Sequence, residues 1–263
     1  MSVIKILVIG ELCTDKFVYG DVNRMCPEAP VPVLNPTNIV ENNGMAGNVV
    51  SNIKALISEN NCEVIFWHQP EVINKTRFVH EKTNHMIMRL DEGENSKISN
   101  IGFISPKQRE TIRESDIVII SDYNKGFLTE NDISYILSEA KLSIIDTKKI
   151  LSAETLTSAT FIKLNEVEFK KNSHLISDLE DKLLITLGDK GVKYNGKHYP
   201  SPKPQDTIDV SGAGDTFTAS FILKYFLSVG DIDKSIKFAN EVCADVVNKK
   251  GVALPSENFR FTI

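Results

Sequence analysis

The sequence predicts an α/β fold, a mainly parallel sheet sandwiched by helices, with a small β lid standing off it. Three observations predict it. Short apolar runs at 3–9, 117–121 and 142–145 stop at polar residues, as strands buried on both faces do. Later stripes recur at helical spacing: Phe217, Phe221 and Tyr225, then Ile232, Ile236, Ala239 and Cys243. Residues 17–33 carry too many prolines for a helix or a central strand. With 76–90 they suit a lid; a long surface loop is the plainer reading. A chain of 263 residues can bury one α/β core, so 1–263 is expected to be one domain with lid segments at about 16–41 and 75–91.

Bulk properties exclude several classes. The net charge of −5 leaves no basic footprint for nucleic acid. The longest apolar runs, such as 117–120, are too short to span a bilayer, so no membrane role is expected. The N-terminal residues enter a strand directly, with no signal-peptide pattern. Cys13, Cys26, Cys62 and Cys243 are scattered, and His68, His80, His85, His174 and His198 show no metal spacing. A reducing, cytoplasmic setting follows as the expectation.

Taken in order, the strand at 3–9 ends at Gly10 and leads to Glu11, Thr14 and Asp15. Ligands collect beyond the carboxyl ends of strands in open α/β sheets. Asp15 is therefore a candidate for accepting hydrogen bonds from ligand hydroxyls, or else a solvated loop carboxylate. A glycine-containing turn, Asn42-Asn43-Gly44-Met45-Ala46-Gly47-Asn48, opens a helix through Leu56. A strand at 64–67 follows. The strand at 117–121 ends in Asp122-Tyr123-Asn124-Lys125-Gly126, and Thr129 caps a helix at 130–140. Residues 142–145 give a strand ending in Asp146-Thr147-Lys148. Asn165 and Glu168 stand one helical turn apart, which fits either a shared ligand face or an N-cap with a first-turn acid. Residues 183–192 read as strand, glycine turn, strand, and 194–199 as a second hairpin.

The most informative stretch is 206–217, where a strand-like run ends in Ser211-Gly212-Ala213-Gly214-Asp215 and a long apolar helix begins. Glycines at a helix N-terminus expose unpaired N–H groups at the positive end of the dipole, which makes an anion site. Asp215 would repel a phosphate there unless it accepts a proton from an attacking hydroxyl. A tight turn before a buried helix is the alternative for the tripeptide alone. A dinucleotide fingerprint fails because Phe217 stands where a third glycine belongs, and no Walker A loop occurs.

Asp209-Val210-Ser211-Gly212-Ala213-Gly214-Asp215 resembles the Asp-Thr-x-Gly-Ala-Gly-Asp signature of the ribokinase-like, PfkB-type sugar kinases. The resemblance implies a three-layer α/β/α sandwich, ATP and Mg²⁺ as cofactors, Asp215 as catalytic base, and Gly212, Ala213 and Gly214 as the anion hole. Gly20-Asp21-Val22-Asn23-Arg24-Met25-Cys26-Pro27-Glu28-Ala29-Pro30-Val31-Pro32-Val33 is similar to the heptose-phosphate kinases of that superfamily, which phosphorylate D-glycero-β-D-manno-heptose 7-phosphate at C1. It narrows the implied substrate to a small-molecule sugar phosphate. On this resemblance Asp15, Gly44 and Asn48 hold the sugar, although Asn43 replaces a glycine of the family's pattern. Lys125, assisted by Arg89, is the candidate for the distal phosphate. Asp146 and Lys148 match the family's Asp-Pro-Lys, with Thr147 replacing proline. Asn165 and Glu168 would hold magnesium through water, and Thr186, Gly188 and Gly191 would line the nucleotide's path. Asn240 and the 250–253 loop with Gly251 would border adenine. Some members bind a monovalent cation beside the signature turn, so Asp209 is a candidate for potassium. Members of this family often pair through the lid, which implies a homodimer.

One departure is size. Between Ile53 and Lys75 the family carries about one more helix and strand than this chain has room for. Two rival readings stay open: another sugar or nucleoside kinase of the same fold, and a shortened relative that binds nucleotide or sugar without turnover.

Overall fold

The computed structural model describes residues 3–94, 96–172, 178–202 and 207–262; His174 and Asp206 lie outside the described residues. The chain runs β1 (Ile4–Gly10), β2 (Leu12–Met25), β3 (Pro32–Met45), α1 (Ala46–Leu56), β4 (Cys62–Trp67), β5 (Asn74–His80), β6 (His85–Glu92) and α2 (Pro106–Glu114). Next come β7 (Ile117–Asp122), α3 (Glu130–Glu139), β8 (Ser143–Thr147), α4 (Ala153–Thr157), β9 (Phe161–Asn165), α5 (Glu166–Asn172) and β10 (Leu183–Thr186). It closes with β11 (Val192–Tyr194), β12 (Lys197–Tyr199), α6 (Ala213–Leu227) and α7 (Ile232–Val246).

The main sheet has the order β12-β11-β10-β9-β8-β7-β1-β4. It is parallel from β10 to β4, with β11 and β12 added antiparallel at one edge. Ile4, Ile6 and Val8 of β1 pack on one side with α1, α6 and α7. Leu7 and Ile9 face the other side, with α2, α3 and α4. That makes three layers, and it explains why β7 is buried at all six positions. Helix α6 is buried on every side from Asp215 to Leu223, as its all-round apolar sequence requires.

The lid is a separate four-stranded sheet in the order β3-β2-β5-β6. The prolines Pro32 and Pro36 sit on β3, an edge strand, where a missing N–H breaks no inner ladder. Strand β2 begins one residue after β1, and β3 runs directly into α1 at Ala46, so short covalent links join the lid to the core. The short stretch after α1 leaves β4 paired only with β1, and the main sheet ends there among the described residues. The strand-like run before the signature glycines is not a strand. Residues 207–210 are irregular and hang on α7, with Ile208 and Asp209 N–H groups donating to the Val247 carbonyl at 2.8 and 3.2 Å.

Candidate active site

Helix α6 begins at Ala213 because Gly212 turns the chain with φ of 81°, a conformation that side chains resist. Space matters as much: a Cβ on Gly212 would lie 2.5 Å from Asn48 Nδ2, and one on Gly214 would lie 2.9 Å from Lys163 Nζ. Both glycines let other groups reach the helix mouth.

Asp215 stands in the first turn and is 5% exposed. Asn48 Nδ2 donates to its Oδ2 at 3.0 Å, and the Tyr123 hydroxyl donates to its Oδ1 at 2.8 Å. Burial pushes its carboxyl up to about 6, and the charge of Asp146 pushes the same way. The bonds from Asn48 and Tyr123 and the charge of Lys163 pull against that rise.

Each partner is set from beneath. Asn48 lies on α1, where Asn52 Nδ2 donates to its Oδ1 at 3.0 Å. Tyr123 lies in the loop after β7, and Glu11 pins that loop. The fully buried Glu11 carboxylate accepts from the N–H groups of Tyr123, Lys125 and Phe127 at 2.8, 2.9 and 3.3 Å. At the ends of β8 and β9, Asp146 and Lys163 pair at 2.6 Å. Burial would lower Lys163, but Asp146 outweighs it and the ammonium is held above its ordinary value. The other oxygen of Asp146, Oδ1, is buried without a hydrogen-bond partner among the described residues.

A cavity of about 550 Å³ opens over this floor. Its lining includes Tyr123, Asp146, Lys148, Lys163 and the 212–215 turn, together with Asn165, Thr186, Gly188, Gly191 and Asn240. Eleven of the residues singled out in the sequence therefore meet in one space: Gly212, Ala213, Gly214, Asp215, Asp146, Lys148, Asn165, Thr186, Gly188, Gly191 and Asn240. The volume falls within the range of small-molecule sites.

Other residues stand elsewhere. Asp15 and Gly44 lie on the inner face of the lid, where Asp15 pairs with Arg77 and a Cβ on Gly44 would strike Asp15 and Cys13. Lys125 and Lys75 share the carboxylate of Glu94, at 3.0 and 2.9 Å. Arg89 sits on the lid's edge strand beside Asp91, its side chain 48% exposed. Asn165 and Glu168 form a reciprocal cap: Glu168 N–H donates to Asn165 Oδ1 at 2.9 Å, and Asn165 N–H to Glu168 Oε2 at 2.8 Å. Lys148 also binds Glu168, so both of its carboxylate oxygens already have partners. Of the two residues expected at adenine, Asn240 lines the cavity and Gly251 is not among its described lining residues. The Asn240 amide donates to the carbonyls of Tyr199 and Pro200, and Gly251 packs against Phe17 and Tyr19 of the lid. Asp209 Oδ1 accepts from the Ser211 N–H at 2.9 Å.

The reasoning from sequence missed Lys163, Arg77, Glu11, Glu94 and the role of Tyr123. Lys163 had a signal, since it interrupts the apolar run Phe161-Ile162-Lys163-Leu164 on a strand whose first four residues are buried. A lysine there needs a partner.

For a hydrated magnesium the donor set fits. The ion keeps several waters and takes few protein carboxylates; Asp146 Oδ1, which has no partner among the described residues, is an acceptor of that kind, and Glu168 has its own oxygens held by Lys148 and the Asn165 N–H.

The family model described as pfkB family carbohydrate kinase matches residues 44–258. The chain is similar to the bifunctional protein HldE of Helicobacter pylori strain J99, 31% identical over 304 aligned positions that cover 96% of this chain and 64% of that protein. It is similarly 31% identical to HldE of Helicobacter hepaticus, over 97% of this chain and 62% of the relative. The chain thus spans somewhat less than two thirds of those proteins. The 304 aligned positions exceed its 263 residues, so the relative carries segments that this chain lacks. Among solved structures it resembles phosphofructokinase-2 from Escherichia coli in complex with potassium, with TM-score 0.70, 16% identity, and 98% and 97% of the two chains covered. It also resembles ribokinase from Thermotoga maritima, with TM-score 0.68, 16% identity and 97% of each chain covered.

Proposed function

Because this chain belongs to the pfkB family of carbohydrate kinases, phosphotransferases with an alcohol group as acceptor, we propose that it transfers the γ-phosphoryl group of ATP to a hydroxyl of a sugar phosphate. The acceptor in this reading is D-glycero-β-D-manno-heptose 7-phosphate and the product its 1,7-bisphosphate. The similarity to HldE and the lid motif from Gly20 to Val33 support that choice.

The observation that carries the reading is Asp215, a buried carboxylate at the mouth of α6 on the cavity wall. Asp215 takes the proton of the acceptor hydroxyl as that oxygen bonds to the γ-phosphorus and the bond to the ADP oxygen breaks. The Gly212 and Gly214 N–H groups receive the transferring oxygens, the Ala213 N–H joining them on release of the Val210 carbonyl it meets at 3.3 Å, and Lys163 adds a fixed positive charge beside Gly214. Asp15, Gly44 and Asn48 hold the sugar; Thr186, Gly188 and Gly191 flank the nucleotide. Asp146 and Glu168 would hold a magnesium ion through water, and that ion would supply charge neutralisation for the phosphates. A potassium ion near Asp209, a cytoplasmic location and a homodimer belong to the same reading. For the dimer, Ile39, Val18, Phe78 and Met88 lie side by side on the outer lid face, and Ile39 and Met88 are each 53% exposed.

The test is ADP release from ATP with this heptose 7-phosphate. The wild-type protein is expected to turn over, and Asp215→Asn to lose roughly 10²–10⁴-fold in kcat. An unchanged Asp215→Asn rate would reject the mechanism. A wild type that binds nucleotide yet turns over no sugar would favour the shortened binding relative, a reading motivated by the sheet's early end at β4.

A further inference from the structure

Two lysines that come from different parts of the fold converge on one glutamate. Lys75 begins β5 of the lid, and Lys125 lies in the loop after β7 of the main sheet. Their ammonium groups meet Glu94 at 2.9 and 3.0 Å. The side chains are only 15, 25 and 20% exposed for Lys75, Lys125 and Glu94, so the cluster is sheltered but open to solvent. Two cations against one carboxylate leave a net positive charge, which a phosphate dianion would neutralise more completely.

The cluster borders the acceptor side of the site. Lys75 is the register partner of Asp15 on the lid's inner face. Cys13, buried at the root of the lid, is in electrostatic reach of Asp15, Lys75, Arg77 and Asp215 together. Lys125 follows Tyr123 by two residues; the Tyr123 hydroxyl touches Asp215, and Glu11 fixes both backbone N–H groups. An acceptor with its reacting hydroxyl at Asp215 would thus carry any distant anionic group toward the two lysines.

With Lys125 read as facing the acceptor's distal phosphate, we propose that Lys75 joins it in selecting that phosphate and that Glu94 is a built-in stand-in for the phosphate. Glu94 holds the lysines in place in the empty protein and yields them when the phosphate arrives. The inference rests on the kinase reading and adds the specificity element to it. It differs from an ordinary structural ion pair in the sign of one effect. A carboxylate that competes with substrate weakens binding, so neutralising it must improve binding.

The experiment uses D-glycero-D-manno-heptose with and without its 7-phosphate, in turnover with ATP and in calorimetry without ATP. Glu94→Gln is expected to lower KM for the phosphorylated heptose about 2–5-fold, the range of an exposed ion pair, with KM for ATP unchanged. Lys125→Met and Lys75→Met are each expected to cut the preference for the phosphorylated over the plain heptose by roughly 10–100-fold, the range of a charged hydrogen bond. A higher or unchanged KM in Glu94→Gln overturns the proposal, as does an equal loss on both sugars in the lysine variants. Lysine-dependent binding of the phosphorylated heptose without turnover would support this proposal while rejecting the kinase reading. Turnover that ignores the 7-phosphate would do the reverse.

Discussion

On the main sheet, Lys163 and Asp146 pair at 2.6 Å with side chains 4 and 8% exposed; on the lid, Arg89 and Asp91 pair at 2.7 Å with side chains 48 and 24% exposed. The distances nearly match, yet the two pairs do different physical work. A buried charge that loses its partner stays out of water and uncompensated, whereas an exposed one is rehydrated. The floor of the site is therefore built from charges that cannot be exchanged without damage. The lid and its margin carry charges that can change partners when a ligand arrives. Fixed charge suits the transferring phosphoryl group, and exchangeable charge suits recognition of an incoming substrate.

The largest expected effect that sharpens this contrast is at Lys163. Lys163→Met leaves Asp146 buried and unpaired, and urea unfolding is expected to read a loss of about 3–5 kcal/mol. A loss near zero would mean the pair is open to water and the contrast is wrong. Asp215→Asn comes next and has the opposite sign. With its carboxyl held up at about 6, Asp215 binds its proton more tightly in the fold than in the unfolded chain. Its contribution to stability is full below the unfolded value and is lost as pH rises through about 6. At pH 7.5 the ionised group burdens the fold, so Asp215→Asn is expected to raise Tm while removing turnover. A lower Tm would identify Asp215 as a structural anchor. The smallest effect is Arg89→Met, expected within about 0.5 kcal/mol of wild type in the same urea experiment; a loss comparable to that of Lys163→Met would erase the distinction between floor and lid.

Much of the floor was legible in the sequence, because local rules decide it. Glycines before an apolar helix predict a helix N-terminus in that turn, and α6 begins there, at Ala213, with Asp215 in its first turn. Thr129 caps α3, with Asp132 completing the capping box. Prolines in β3 mark an edge strand. What stayed hidden depends on pairing between distant residues. Nothing near Asp146 points to Lys163, which is 17 positions away and becomes its neighbour only when β8 and β9 align. Arg77 reaches Asp15 across 62 positions through the parallel pairing of β2 and β5. Glu11 appeared as one of several polar residues after a strand, and only the path of the 123–127 loop reveals why it is buried. Asn240 entered through the family resemblance alone; it lines the cavity while its amide ties α7 to the end of β12, a tie no local pattern announces.

The account depends on Asp215 being ionised before it can take the acceptor's proton. The most direct measurement is kcat/KM for the heptose 7-phosphate from pH 4.5 to 8.5 with saturating ATP. The account predicts a rate that climbs with pH, bends near the value of about 6 set by burial of Asp215, and then levels off. A profile already level at pH 5, in an enzyme still folded there, would contradict it.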